Sequence, residues 1–356
     1  MSRRVPVGVI GAGAWAVTTH LPVIAADPDA ELVVVNRRNG DLARRIADRF
    51  GAQHATDSWE EALGYGLDAV VVASPPNVHR AQVTAAIAQG AHVLCEKPFA
   101  IRSEDAWAMA DAARTAGRHL LVAFGWNYMP LVTAARDLLR TRGIGRIEVV
   151  SIGIDVAVRE LLTKGTPYNS ATGGIALQPE TFIDPAISGG GTAPVTMSYV
   201  FGMAEFLTGL EARDIHCRIV EAQPGVDLHD VMSVGYEGGA IGAFVGNASH
   251  ESVPRVEWHV IVHGTGGQLL LDSNHDEVLF GPPSGERVRA DLPAGAGVYD
   301  PRGPVRELLA VAKGGLPTDA SPAPMGARTV ELVEAALLSA GHGRVEPVPR
   351  GRPGWA

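Results

Sequence analysis

The sequence predicts an α/β protein of two parts: an N-terminal doubly wound domain and a C-terminal α+β domain with a large, mostly antiparallel sheet. Three observations carry the prediction. Short apolar runs alternate with amphipathic helical segments up to residue 123. A glycine-rich turn, Gly11-Ala12-Gly13, links the first apolar run to the first helical segment. From Ile147 onward, strand-like segments follow one another with few helices between them. Fully apolar strands alternating with helices need a parallel sheet covered on both faces, and right-handed crossovers wind it doubly. Strands in series with helices set apart give the α+β layout.

Val5–Ile10 reads as the first strand, and a helix is expected over Trp15–Ala26, ending before Pro28. Glu31–Val35 is the next strand; Asp41–Phe50 has helical spacing and stops at Gly51. Ala69–Ala73, His92–Cys95 and Leu120–Ala123 are apolar strands, with helices expected over Val78–Gln89 and Glu104–Ala116, the latter with Ser103 as N-cap. Leu131–Arg140 is one more helix, closed by Gly143. The second part has strand patterns at Ile147–Val158, Arg213–Glu221, Val231–Tyr236, Ala240–Val245, Val256–Val262, Gln268–Leu271 and Glu277–Phe280. Helices are expected over Gly202–Leu207, Val305–Ala312 and Ala327–Ser339. The resulting division is 1–124, 125–342 and a loosely held Gly-, Pro- and Arg-rich tail over 343–356.

A length of 356 residues suits two domains, and 46% hydrophobic with 19% charged residues supplies their cores. A net charge of −9 argues against non-specific binding to nucleic acid or an anionic membrane. No apolar run approaches the ~18 residues of a membrane span. Met1–Arg4 leads directly into a strand rather than a signal peptide, so a cytoplasmic location is expected. Cys95 and Cys217 are far apart and read as buried free thiols. His216, His229 and His250 lack metal-ligand spacing, and no metal is expected.

Gly11-x-Gly13-x-x-Ala16 is a dinucleotide fingerprint, made specific by the strand before it and the helix after it. Gly11 permits the tight turn, Gly13 lets backbone approach a pyrophosphate, and Ala16 allows close helix packing. The amides around Ala14 and Trp15 would face the phosphates. These features predict a Rossmann domain binding a nicotinamide dinucleotide. NAD-specific sites place an acid after the second strand, whereas this chain has Asn36-Arg37-Arg38. Two guanidinium groups suit a 2′-phosphate, so NADP is expected, with NAD possible.

Two segments at strand carboxyl ends point to the nicotinamide: Ser74-Pro75-Pro76-Asn77-Val78-His79 and Cys95-Glu96-Lys97-Pro98. Lys97 is one of three lysines in the chain, with Lys164 and Lys313. There it could hydrogen-bond a substrate oxygen, or relay a proton if desolvation lowers its pKa. The fingerprint, the Ser-Pro-Pro-Asn-x-His segment and above all Glu96-Lys97-Pro98 resemble the Gfo/Idh/MocA family. The resemblance implies NAD(P)-dependent redox chemistry on a sugar, cyclitol or related polyol. It further implies a homodimer or homotetramer formed through the C-terminal sheet.

The second part departs from that family's pattern, in which a glycine run precedes an Asp and, four residues later, a His. Gly189-Gly190-Gly191 is present, but the Asp place holds Val195 and the His place Tyr199. A family Arg corresponds to Asn127. Tyr199 could donate a proton from a hydroxyl of reference pKa ~10 if Lys97 and the nicotinamide assist; it could equally be a core aromatic. Trp126, Asn127 and Tyr128 suit a sugar ring, while His20, His79 and Tyr128 are reserve candidates, better read as pocket wall. The leading expectation is hydride transfer between nicotinamide C4 and a hydroxyl or ketone carbon of such a substrate. Two alternatives are glycoside cleavage by transient oxidation and elimination, and a non-catalytic NADP-binding sensor.

Overall fold

The computed structural model describes residues 3–166, 173–250 and 256–349. Its first sheet is parallel and has six strands: β1 (Val5–Ile10), β2 (Ala30–Asn36), β3 (His54–Thr56), β4 (Ala69–Val72), β5 (His92–Cys95) and β6 (Leu120–Val122). Their order is β3-β2-β1-β4-β5-β6. The chain changes direction of winding between β1 and β4, so a crevice opens at the carboxyl ends of those strands. This is the expected doubly wound Rossmann sheet.

β3 and the helix Trp59–Leu63 have no counterpart in the sequence reading. β3 is a three-residue edge strand with only Ala55 apolar, too short for a visible pattern. The helix did carry a signal, Ser58-x-x-Glu61, and Ser58 Oγ accepts from the Glu61 amide at 3.1 Å. The helix expected over Trp15–Ala26 is broken at Thr19 into Ala14–Thr18 and His20–Ala26. Pro22 explains the break: it lacks an N–H and its ring crowds the carbonyl of Thr18, four residues back. Ser103 is the first residue of its helix rather than the cap; its amide donates to Glu334 Oε2 at 2.9 Å.

Alternate residues of the central strands serve opposite faces. Val5, Val7, Val9, Val35 and Val71 pack on one face with His20–Ala26 and Gly40–Phe50. Val305, Leu308 and Leu309 of the helix Gly303–Ala312 join the same core, so a segment almost 300 residues from β1 in sequence covers β4, β5 and β6. Lys313 secures that helix by ion pairs to Asp27 (3.0 Å) and Asp29 (3.2 Å).

The second sheet comprises β7 (Ile147–Val156), β8 (Ala212–Gln223), β9 (Val226–Tyr236), β10 (Ile241–Ala248), β11 (Glu257–Gly264), β12 (Gly267–Asp272), β13 (Glu277–Gly281), β14 (Val288–Arg289) and β15 (Glu346–Pro347). Their order is β14-β13-β12-β11-β7-β10-β9-β8-β15, antiparallel except between β7 and β10. Alternation along β9 from Leu228 onward, and along β10, buries Met232, Val234 and Phe244 beneath the helices Ser198–Thr208 and Ala323–His342. The other face leaves Val220, Val231 and Ile241 exposed. Part of the tail is ordered: Glu346 and Pro347 pair with β8, and Val348 is buried. A proline is tolerated there because an edge strand need not donate on its outer side. Residues 350–356 of the tail lie outside the described residues. Among the described residues, no helix is long and apolar enough to cross a membrane, and no cluster of His, Cys, Asp and Glu could hold a metal.

Candidate active site

The two fingerprint glycines are required for different reasons. Gly11 has φ +76°, and a Cβ there would stand 2.6 Å from Ser74 Cα, so backbone of the β4 turn excludes any side chain. Gly13 has φ −89°, which any residue can adopt, and the nearest atom to its would-be Cβ is Arg37 Nη1 at 3.7 Å. Nothing in the protein itself demands glycine at 13. The free space beside it is what a pyrophosphate approaching the backbone would use, so these residues fit a dinucleotide.

Asn36 ends β2 and is buried with its amide committed to the protein. Its Oδ1 accepts from Gly11 N at 3.4 Å and its Nδ2 donates to Thr56 O at 3.2 Å. It braces the glycine turn against β3. Arg37 lies over that turn, donating to Ala12 O at 2.8 Å; burial, then the charge of Arg38, lowers its pKa. Arg38 is exposed and reaches Gln178 Oε1 at 2.9 Å. Both guanidinium groups therefore stand at the outer end of the crevice.

Behind the crevice, His79 is wholly buried. Its Nε2 lies 2.7 Å from Ser74 O, and its Nδ1 lies 3.3 Å from Cys95 Sγ and 3.1 Å from Phe99 O. Burial lowers its pKa, against the pull of the Ser74 and Phe99 carbonyls. Both ring nitrogens face a carbonyl oxygen, so a neutral ring donates to one of the two; with the proton on Nε2 it donates to Ser74 O and Nδ1 can accept from the Cys95 thiol. His79 ties the turn after β4 to the turn after β5 and faces no ligand space. Ser74 Oγ donates to Gln82, Pro75 leads into the turn Pro76–Val78, and Asn77 is exposed on it.

Glu96 is likewise a brace. Its Oε1 accepts from Trp15 Nε1 and lies against His20 Nε2, both at 2.7 Å, and its Oε2 accepts from Lys97 N at 3.1 Å. Burial alone would raise this carboxyl; the hydrogen bond and charge of His20, the charge of Lys97 and the Trp15 bond outweigh it and lower its pKa. Helix and β5 turn are thus locked together, which holds the Trp15 ring at the crevice mouth.

Lys97 follows at the end of β5 with its ammonium turned toward the second domain. Nζ donates to Val195 O at 3.1 Å and lies 4.6 Å from the Tyr199 ring centre. Burial lowers its pKa to about 8, against the opposing pull of Glu96. Val195 lies in a π-helical turn, Ala193–Met197, that leads into the helix Ser198–Thr208 bearing Tyr199. So Val195, which has no polar side chain, meets the lysine through its backbone.

That turn rests on Asp227 of β9. The Asp227 carboxylate accepts from Gly191 N at 2.9 Å and Ala193 N at 2.5 Å. A Cβ on Gly191 would stand 2.7 Å from Asp227 N, which accounts for glycine there. Asp230 is fully buried nearby with both oxygens unpartnered; burial first, then Asp227, pushes its pKa up to about 9.

Tyr199 is 7% exposed, its ring stacked on Trp126 at 4.8 Å. Its hydroxyl lies 3.0 Å from that of Tyr299. Tyr299 was missed in the sequence because it sits in an irregular Gly- and Pro-rich segment with no motif around it. Its ring stacks on Trp15 at 6.5 Å and meets Trp126 edge-on at 6.0 Å. Trp126 is itself buried between Tyr199 and Trp258. The other two expected pocket residues are turned to a different seam. Asn127 is buried, donating to Ala320 O at 2.7 Å, and the Tyr128 hydroxyl pairs with Ser321 Oγ at 2.5 Å. Both hold the loop before Ala323–His342 in place, since buried polar groups need such partners.

Residues 5–124 match the Gfo/Idh/MocA family, described as an oxidoreductase family with an NAD-binding Rossmann fold. Residues 5–124 are therefore a domain of that family. The chain is an NAD(P)-dependent oxidoreductase. A dTDP-3,4-didehydro-2,6-dideoxy-α-D-glucose 3-reductase of Streptomyces violaceoruber is 27% identical over 82% of this chain and 79% of its own length. The NADP-dependent scyllo-inositol 2-dehydrogenase of Bacillus subtilis is 26% identical, covering 73% of this chain and 74% of the relative. Levoglucosan dehydrogenase, solved with NADH and levoglucosan, superposes with a TM-score of 0.81 at 22% identity, over 98% of this chain and 100% of that one. The last comparison bears on the fold alone, and extends the likeness over both sheets.

Proposed function

We propose that this oxidoreductase is NADP-dependent and moves hydride between nicotinamide C4 and a hydroxyl or ketone carbon of a sugar, cyclitol or related polyol. The observation that carries the reading is the position of Lys97, with a partly desolvated ammonium at the end of β5, between the crevice and Tyr199. The bound nicotinamide supplies the hydride acceptor or donor. Gly11, Gly13, Ala14 and Trp15 would hold its pyrophosphate, and Arg37 and Arg38 the 2′-phosphate. Lys97 would bind the substrate oxygen and stabilise charge developing on it. Tyr199 would exchange a proton with that oxygen.

NADP is the finer part of the proposal: it rests on Arg37 and Arg38 and on the absence of an acid at Asn36. The named relatives are dehydrogenases and reductases, which speaks against glycoside cleavage and against a sensor without turnover. Absorbance of the reduced nicotinamide should be followed with each nucleotide over D-xylose, scyllo-inositol, levoglucosan and their keto forms. Turnover favouring NADP supports the reading; tight NADP binding without turnover on any of them counts against it. We further propose that the exposed apolar strip Val220, Val231 and Ile241 is covered in a homodimer or homotetramer. Light scattering of a monomeric mass would remove that part.

A further inference from the structure

We propose that Tyr299 is a proton-relay residue that passes the Tyr199 proton to and from solvent. The inference rests on the reading of Tyr199 as the group exchanging a proton with substrate, and adds a residue that neither motif nor family pattern identifies.

Tyr199 is almost sealed by Phe124 and Trp126, so a proton arriving at its hydroxyl needs an exit. The hydroxyl of Tyr299 lies 3.0 Å away, within direct transfer distance. Tyr299 is half-buried where Tyr199 is 7% exposed, so of the two side chains it is Tyr299 that reaches the surface. The position of Tyr299 is set by three residues. Trp15, fixed by Glu96, stacks on its ring, and Trp126 meets it edge-on. Gly125 is the third: a Cβ there would stand 2.7 Å from Tyr299 Oη and 3.1 Å from Pro301 Cα. Asp300, next in sequence, is held by Arg302 at 2.5 Å and Arg306 at 3.4 Å, which anchors the segment.

In an oxidation, the bound nicotinamide would take the hydride, with its electron pair, from the substrate C–H bond. The substrate O–H proton moves to Tyr199 Oη as the Tyr199 proton moves to Tyr299 Oη and the Tyr299 proton to water. Both tyrosines end neutral, one proton is released, and a C=O bond forms. Reduction reverses each transfer.

Tyr199→Phe, Tyr299→Phe and the double variant test the relay, because phenylalanine keeps every ring contact. With whichever sugar of the panel is turned over, Tyr299→Phe should lower kcat about tenfold or more. It should leave KM and NADP affinity within about twofold and reduce the solvent deuterium effect. The double variant should match Tyr199→Phe alone, since the two act in series. An unchanged kcat in Tyr299→Phe, or equal losses from it in the wild-type and Tyr199→Phe backgrounds, overturns the relay and leaves Tyr199 standing. No loss in Tyr199→Phe overturns the Tyr199 reading and the relay with it.

A second measurement needs no substrate. Spectrophotometric titration of the six tyrosines should show the Tyr199 phenolate, assigned by its loss in Tyr199→Phe, forming at higher pH in Tyr299→Phe. A phenolate deprived of its hydrogen-bond donor is less stable. Lys97, over the same ring, is present in both proteins and cancels. An unmoved Tyr199 step shows that the hydroxyls are uncoupled and overturns the proposal.

Discussion

The ammonium of Lys97 lies 4.6 Å from the centre of the Tyr199 ring and donates to the carbonyl of Val195 at 3.1 Å. A residue at the end of the first sheet is thereby held by two residues of the helical segment over the second. The contact has a plain chemical meaning. A desolvated cation is stabilised by an aromatic face and a carbonyl, and both can be exchanged for a substrate oxygen. The expectations below start from that geometry.

Replacing Lys97 by Met should lower kcat about 10²- to 10³-fold, the usual range for a donor that stabilises developing charge. In the wild type, kcat/KM should fall above pH about 8 as the ammonium that stabilises the substrate oxygen loses its proton, and that limb should vanish in Lys97→Met. Stability has a matching signature. Between about 8 in the folded protein and the reference value of 10.5, the unfolded chain binds more protons, so stability rises with pH in that window. Denaturant melts of both proteins across it would show the slope in the wild type only.

Gly11→Ala and Gly13→Ala should fail differently. The first meets backbone of the β4 turn at φ +76° and should lower Tm together with NADP binding. The second has room and an ordinary φ, so Tm should hold while the NADP Kd rises about tenfold or more, for the alanine methyl takes the place of phosphate. Calorimetry on both variants separates the cases; equal losses of Tm would show that Gly13 too is needed by the protein.

Arg37→Ala and Arg38→Ala should each raise the Kd for NADP about ten- to a hundredfold, the worth of a hydrogen bond to a charged partner. NAD affinity should change less than about threefold. Arg38→Ala should be the more selective of the two, because Arg37 also supports Ala12. A parallel weakening of both nucleotides would assign the pair to the pyrophosphate or the fold.

Asp227→Ala should lower stability by about 1–3 kcal/mol for each of the Gly191 and Ala193 amides left unsatisfied, and unseat Val195 and Tyr199 together. Asp230→Asn should do the opposite near neutral pH. With its folded pKa raised to about 9 from 3.8, the folded protein holds a proton that the unfolded chain has lost, so this group makes stability fall as pH rises between those values. Tm measured from pH 5 to 9 should fall less steeply in Asp230→Asn; an identical slope would mean that Asp230 does not hold that proton.

Much of the first domain could be read directly. β1, the glycine turn and the helix after it are consecutive, so local pattern alone sets them, and Lys97 follows its strand within two residues. What could not be read were parts with weak local pattern or distant partners. β3 is too short to show a period, and Pro22 breaks the first helix only through the carbonyl of Thr18. The departures at Val195 and Asn127 had different outcomes once folded. Val195 meets Lys97 through a backbone oxygen, whatever its side chain, whereas Asn127 turns to Ala320 and away from the crevice.

By itself the sequence determined the doubly wound domain, its nucleotide turn and the strand end that carries Lys97, because each is written in residues close along the chain. Only the tertiary structure decided what Lys97 faces. Val195, Tyr199, Asp227 and Tyr299 are separated from it by about 100 to 200 positions, and they meet only because the two sheets and the helices between them bury a common apolar core. Periodicity reports which face of an element is buried; it cannot report which distant element covers that face.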